Sequence, residues 1–333
     1  MESIAGIPMI GEQSGLILAY ILDGRGGGRE AGWQEIAAWQ ASDGVLWVHL
    51  DYTKADARTW IREQLTLPRL VHDALLAPEA RPRSVVINDG LLIVLQGVSP
   101  DLDEDPGNTI SLRVWIDNQR IISTRMRRVL PIILMRYALR EGNGPQQQGE
   151  FLVLVIERII SVMEKLFVKI HTTIDELEDH MMDDEHTLSR KNLAAVRRAI
   201  IVLRRYLLPQ QESLHHIQQQ PLPWLNREQF DFLAEVSEKL GHYYADLESL
   251  SDRAAVIQEE LASRLTEQLN RRMYMLSILS GVFLPLTFLT GLLGVNIGGI
   301  PGQNDAWAFL IFSLIIVLMG VLQILVFRWL RWL

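Results

Sequence analysis

The stretch Met273 to Leu293, MYMLSILSGVFLPLTFLTGLL, decides the fold. It carries no charge over 21 residues. A helix rising about 1.5 Å per residue crosses the roughly 30 Å apolar core of a bilayer in that length. A second uncharged run, Trp307 to Phe327 (WAFLIFSLIIVLMGVLQILVF), follows a short loop. The sequence therefore predicts two transmembrane helices, 273–293 and 307–327. Arg271 and Arg272 precede the first, Arg328 and Arg331 follow the second, and residues 294–306 hold no Lys or Arg. By the positive-inside rule both termini lie in the cytoplasm and the loop lies outside. Trp307 suits the outer interface, and Trp329 and Trp332 the inner one.

Within the first span, Met273, Ser277, Ser280, Leu284, Thr287, Gly291 and Gly294 alternate in steps of four and three, so they share one helix face. The face is mostly small or hydroxylated. Tight helix packing and a pore wall built from several copies both favour such a face. Two helices alone cannot enclose a path, so the pore reading requires an oligomer. Pro285 bends the span without ending it. At its outer end, Asn296 offers a neutral amide carbonyl that could hold a hydrated cation by its waters.

Working toward the N-terminus, Leu233, Val236, Leu240, Tyr243, Leu247, Leu250, Ala254, Ile257 and Leu261 form a heptad seam. Leu265, Leu269 and Met273 continue it in steps of four, which rotates the seam before the membrane. One helix of roughly 60 residues, about 90 Å long, is expected, and its seam could hold several copies in register. Phe151 to Leu208 lacks Pro and Gly and reads as a second helical stretch. A break is expected near 184–189, capped by Thr187 or Ser189, and Pro209 is expected to end the stretch. Gln210 to Leu225 then connects to the stalk.

Residues 1–150 read as a mixed α/β domain. Expected strands are Leu16–Leu22, Val45–Leu50, Ser84–Ile87, Leu91–Leu95, Ser111–Ile116 and Arg120–Thr124. Asn88-Asp89-Gly90 and Asp117-Asn118-Gln119 supply turns, and Ala55–Leu65, Pro68–Leu76 and Val129–Arg140 supply helices. Gly26-Gly27-Gly28 falls in a loop. The expected organisation is thus an α+β cytoplasmic domain at 1–150 and a helical hairpin with its connection at 151–225. The stalk follows at 226–272, then spans 273–293 and 307–327 around loop 294–306, and a tail at 328–333.

The formal net charge of −8 over 333 residues argues against a nucleic-acid partner and suits a cation-handling protein. With no cysteine, disulfides, iron–sulfur clusters and thiolate metal sites are excluded. Met1-Glu2-Ser3-Ile4 lacks the basic start and apolar core of a cleaved leader. No phosphate-binding loop, dinucleotide fingerprint or nucleophile–base pair is found, so no enzyme activity and no catalytic cofactor are expected.

Candidate cytoplasmic metal ligands are His242 and Asp246, one helical turn apart. Asp175, Asp179 and Asp183 belong to a carboxylate-rich stretch with His171, His180 and His186. That stretch reads either as a solvated helix tip or as an anionic funnel that concentrates cations.

Leu284-Pro285-Leu286-Thr287-Phe288-Leu289-Thr290-Gly291-Leu292-Leu293-Gly294-Val295-Asn296, before a short loop and a second span, resembles the signature of the CorA superfamily of divalent metal ion transporters. Magnesium-type members usually carry Met where this chain has Val295. Val295 and the loop Ile297-Gly298-Gly299-Ile300-Pro301-Gly302 look like the ZntB branch of zinc transporters. The resemblance implies a funnel-shaped homopentamer in a bacterial inner membrane, with five copies of the first span around the pore. By position, Asn296, Val295, Gly294, Gly291, Thr287, Leu284, Ser280, Ser277, Met273 and Asn270 would face or border the path. The transported ion implied is Zn2+, with cadmium and other divalent cations also carried. Proton coupling is implied as well, although neither span holds an Asp, Glu, His, Lys or Arg. The rival readings are a magnesium, cobalt or nickel channel of the same fold, and a membrane-anchored metal sensor that does not conduct.

Overall fold

The computed structural model describes residues 15–78, 81–98, 109–127, 129–179, 186–295 and 306–330. The chain divides into two compact units at the Ile257/Gln258 junction.

In the first unit, β1 (Leu16–Leu22), β2 (Gly28–Glu30), β3 (Leu46–Asp51), β4 (Arg83–Ile87), β5 (Gly90–Gly97), β6 (Ile110–Ile116) and β7 (Arg120–Arg125) form one sheet. The order is β2-β1-β3-β7-β6-β5-β4, and only the β3–β7 pair is parallel. Every residue of β1 is buried, so its unbroken apolar run LILAYIL reflects a strand covered on both faces. Leu46, Val48 and Leu50 of β3 point into one core, with Ile36 of α1 (Trp33–Ala38), Ala57 and Ile61 of α2 (Ala55–Glu63) and Val71 and Leu75 of α3 (Arg69–Leu75). The alternate residue Trp47 meets Phe151 edge-on across the sheet, ring centroids 5.0 Å apart. The period of two thus sorts β3 between two helical layers. Phe151 belongs to α5 (Gln148–Asp179), which follows α4 (Leu130–Arg140).

The turns follow from their residues. Asn88 takes a left-handed φ of 52° in the β4–β5 hairpin. Gly90 is required where it sits, because a Cβ there would lie 2.3 Å from the Trp115 ring. Asp117 closes the β6–β7 turn by accepting the backbone N–H groups of Gln119 and Arg120, both at 3.0 Å.

Several expectations are corrected. Gly28 opens β2 rather than lying in a loop, and β2 and α1 are elements that the apolar patterns did not reveal. Pro209 does not end its helix: α6 runs from His186 to Gln218 with Pro209 inside. Proline removes one ladder hydrogen bond, but tertiary contacts hold the helix beyond it. Gln210, 1% exposed, accepts the backbone N–H of Gln96 at 2.8 Å, and Leu214 and Ile217 are fully buried. Thr187 and Ser189 lie inside α6 instead of capping it.

The long helix is α7, Arg227–Leu293, 67 residues. Its heptad seam is real: all nine positions from Leu233 to Leu261 are buried except Tyr243, which is half-buried. The seam does not wait for other copies, however. Tyr243 packs against Phe167 of α5 with centroids 4.7 Å apart. Ser237 donates to the Gln211 carbonyl of α6 at 3.3 Å, and Gln218 of α6 donates to the Leu233 carbonyl at 3.1 Å. Ion pairs flank this packing: Lys239–Glu164 at 3.1 Å, Arg204–Glu248 at 2.8 Å, and Arg253 across Asp175 and Glu178. An intramolecular three-helix layer therefore consumes the seam.

The second unit contains the membrane end of α7 and α8 (Ala308–Trp329). Both helices are long and apolar enough to cross a membrane.

Candidate functional site: the open face of the first span

Two faces of α7 diverge along the membrane segment. Ile278, Gly281, Val282, Leu286 and Leu289 are half-buried and lie within one arc of the helix. That arc faces α8. A Cβ on Gly281 would meet the Phe327 ring at 3.0 Å, and one on Gly320 would lie 4.0 Å from Leu286. Asn270, Met273, Ser277, Ser280, Leu284, Thr287, Gly291 and Gly294 are all exposed. Met273 is 65% and Leu284 69% exposed. The small and hydroxylated face is thus unused in pairing the two spans of one chain. Val295 is exposed as well, whereas Asn296 lies outside the described residues.

The chemistry of this face suits hydrated cations. Ser277 donates its proton to the Met273 carbonyl at 2.9 Å. What it can present outward is then oxygen lone pairs, as a cation's water shell requires. Gly291 has open space where a Cβ would stand. Gly294 has a different reason: a Cβ there would lie 2.9 Å from the Thr290 carbonyl oxygen, which accepts the Gly294 N–H at 2.9 Å. The glycine closes the last turn of α7 before the loop. In α8, Gln323 places a polar amide in the second span, and its Oε1 is buried without a partner among the described residues.

The cytoplasmic candidates are arranged differently. Asp175 accepts from Arg253 Nη2 at 2.6 Å and stands 3.0 Å from His171 Nδ1. The Arg253 guanidinium, and then His171, hold its carboxyl below the usual carboxylate range. Glu178 is lowered by the same guanidinium, which donates Nε to it at 2.8 Å. Asp175 is therefore a partner of Arg253 in the α5–α7 packing. Asp179 is exposed at the end of α5, and Asp183 lies outside the described residues. His242 stands 3.8 Å from Glu238, both largely exposed, and Asp246 is exposed one turn further on. Among the described residues no three His, Asp or Glu side chains converge as a metal site.

Residues 42–331 match the family described as CorA-like Mg2+ transporter protein. The chain belongs to that family. It is a CorA-like divalent metal transporter of the membrane, and the α+β domain, long helices and two apolar C-terminal helices are the fold of that family. The chain is 35% identical over 319 residues to the zinc transport protein ZntB of Yersinia enterocolitica, covering 96% of each. The solved full-length CmaX protein superposes with a TM-score of 0.79 at 34% identity, over 97% of this chain and all of that one. The CorA magnesium transporter of Methanocaldococcus jannaschii gives 0.72 at 14% identity, over 93% of this chain and 96% of that one, a likeness of fold. This CorA-like chain also has a feature that sequence patterns did not reveal. Four arginines far apart in sequence, Arg81, Arg113, Arg127 and Arg205, line one cavity of the first unit.

Proposed function

We propose that the chain is the subunit of a homopentameric zinc transporter in a bacterial inner membrane, with both termini cytoplasmic. The observation that carries this reading is the open face from Asn270 to Gly294, opposite the face that packs on α8. Around a symmetry axis, five such faces would form a wall of small groups and hydroxyl oxygens, with Asn296 as a ring of amide carbonyls at its outer end. The exposed apolar side chains, among them Phe309 at 81% and Leu318 at 69%, would meet lipid or neighbouring spans.

On this reading residues 1–150 and 151–225 form the cytoplasmic body and 226–272 the stalk. Spans 273–293 and 307–327 flank the periplasmic loop 294–306, and 328–333 form the tail. The preference for zinc over magnesium is supported by Val295 and by the ZntB relatives, at 35% identity over nearly the whole chain. The family description names magnesium, but a family label spans sequences far more distant than these relatives. Cadmium and other divalent cations fit the same neutral wall. Proton coupling would have to use groups outside the two uncharged spans.

Flux into liposomes separates these readings. Zinc flux above magnesium flux is expected, and Asn296→Leu should abolish it. Magnesium flux without zinc flux would favour the magnesium, cobalt or nickel channel. Absence of any flux would favour a sensor, and flux unchanged in Asn296→Leu would remove Asn296 from the path.

A further inference from the structure

A cavity of about 580 Å³ opens in the first unit between the loop after α3, strands β5 and β6, the end of β7 and α6. Arg81, Arg113, Arg127 and Arg205 line it, and none of the described residues that line it is a carboxylate. Four cations in one cavity stand out in a chain of net charge −8.

The wall behind the cavity holds polar atoms without partners among the described residues. Among the described residues, nine buried side-chain polar atoms have no hydrogen bond, and four of them belong to this lining: Arg113 Nε and Nη1, Ser111 Oγ and Gln96 Oε1. Arg113 is the decisive group. It is 1% exposed. Its Nη2 donates to the Ala77 carbonyl at 2.6 Å, and its guanidinium lies over the Tyr52 ring, 4.7 Å from the centroid. Its Nε and Nη1 meet no acceptor among the described residues. A guanidinium keeps its charge in any such setting, and a buried charge without a counter-ion is strongly unfavourable. Burial pushes the Arg113 pKa down, the direction that an unneutralised cation gives. Thr109 completes the donor set. Its Oγ1 accepts from Gln96 Nε2 at 2.7 Å and keeps its own proton to give.

We propose that this cavity binds a polyphosphate-bearing small molecule, its phosphate oxygens taking the guanidinium donors of Arg81, Arg127 and Arg205 at the rim, with the buried charge of Arg113 behind them. Forked guanidinium donors match phosphate oxygens two at a time. Four positive charges answer the charge of a di- or triphosphate. The volume falls within the range of small-molecule sites, roughly 300–1,000 Å³, and leaves room for an organic moiety near Tyr206. The site lies wholly within the cytoplasmic body and does not depend on which metal is carried.

The test is calorimetric titration of the full-length protein in detergent, free of divalent metal, with ATP, pyrophosphate and adenosine in turn. ATP and pyrophosphate should bind and compete, and adenosine should not bind. ATP tighter than pyrophosphate assigns a nucleotide, and equal affinity assigns inorganic polyphosphate. Arg127 and Arg205 are exposed, so R127A/R205A should fold. It should melt as the parent does and bind ATP roughly tenfold more weakly or worse, as loss of charge-assisted hydrogen bonds requires. R113Q should weaken binding further. Failure of both phosphates to bind would overturn the proposal, as would unchanged ATP binding in R127A/R205A. Asp101, Asp103, Glu104 and Asp105 precede Thr109 in the sequence. Binding that appears only in D101N/D103N/E104Q/D105N would also overturn it, by giving the arginines to the chain's own carboxylates.

Discussion

Along α7, Leu233 to Leu261 and Met273 to Gly294 repeat at the same three-four spacing, yet the chain closes the first and leaves the second open. The first set is buried within the chain, and from Leu233 to Ile257 it runs along the face that meets α5 and α6. The second is exposed throughout, while its opposite arc meets α8. Spacing alone says that residues share a face. Side-chain chemistry says what the face wants. Leu, Val and Ile in water seek burial and find it in the nearest apolar helices. Ser, Thr and Gly in a bilayer gain little from facing lipid, so a face made of them is suited to a path or to close contact between copies.

The largest effect on stability should come from the closed region. Leu247→Ala removes a fully buried side chain and should destabilise the protein by about 2–5 kcal/mol. Ser280→Ala on the open face should leave the melting temperature nearly unchanged. Thermal melts of both variants in detergent check the contrast, and equal effects would erase the distinction between the two faces.

A smaller effect is expected from pH. His49 is fully buried, 2.8 Å from Ser123 Oγ, and Trp47 Nε1 donates to the same hydroxyl at 2.9 Å. Burial, with help from Arg125, pushes its pKa well below the ordinary histidine value. The unfolded chain therefore binds the proton more readily than the folded one. The His49 contribution is complete above about pH 6.5 and falls by about 1.4 kcal/mol per pH unit below it, until the folded pKa is reached. Denaturation curves from pH 7 downward measure this slope, and His49→Gln should flatten it.

Arg253→Met should have the smallest effect, since its carboxylate partners are partly exposed and such pairs contribute little. Arg253 holds the Asp175 and Glu178 carboxyls below their ordinary range. Its contribution is present above that range and is lost as pH falls through the lowered pKa values. The difference between Arg253→Met and the parent should therefore be small at neutral pH and vanish in acid.

Much of this was legible in the sequence. The uncharged runs pointed to two helices of spanning length, and α8 and the end of α7 are long and apolar enough to cross a membrane. The strands were legible from β-rich apolar runs bounded by turn residues such as Asn88-Asp89-Gly90. The occupant of the heptad seam was not legible, since spacing is blind to whether a partner helix comes from the same chain. Pro209 misled because the bonds that hold α6 beyond it, such as Gln210 to Gln96, are made by residues distant in sequence. Of the pore candidates, the face from Asn270 to Gly294 could be read from periodicity. The arginine cavity could not, because only the fold gathers Arg81, Arg113, Arg127 and Arg205.

The open face is tested most directly by thiol block of transport. The chain has no cysteine, so an introduced one is its sole thiol. Ser277→Cys, Ser280→Cys and Thr287→Cys should each render zinc flux in proteoliposomes sensitive to a membrane-impermeant methanethiosulfonate, whereas Ile278→Cys and Val282→Cys should not. Block at the positions that face α8, with none at the small-residue face, would contradict the account.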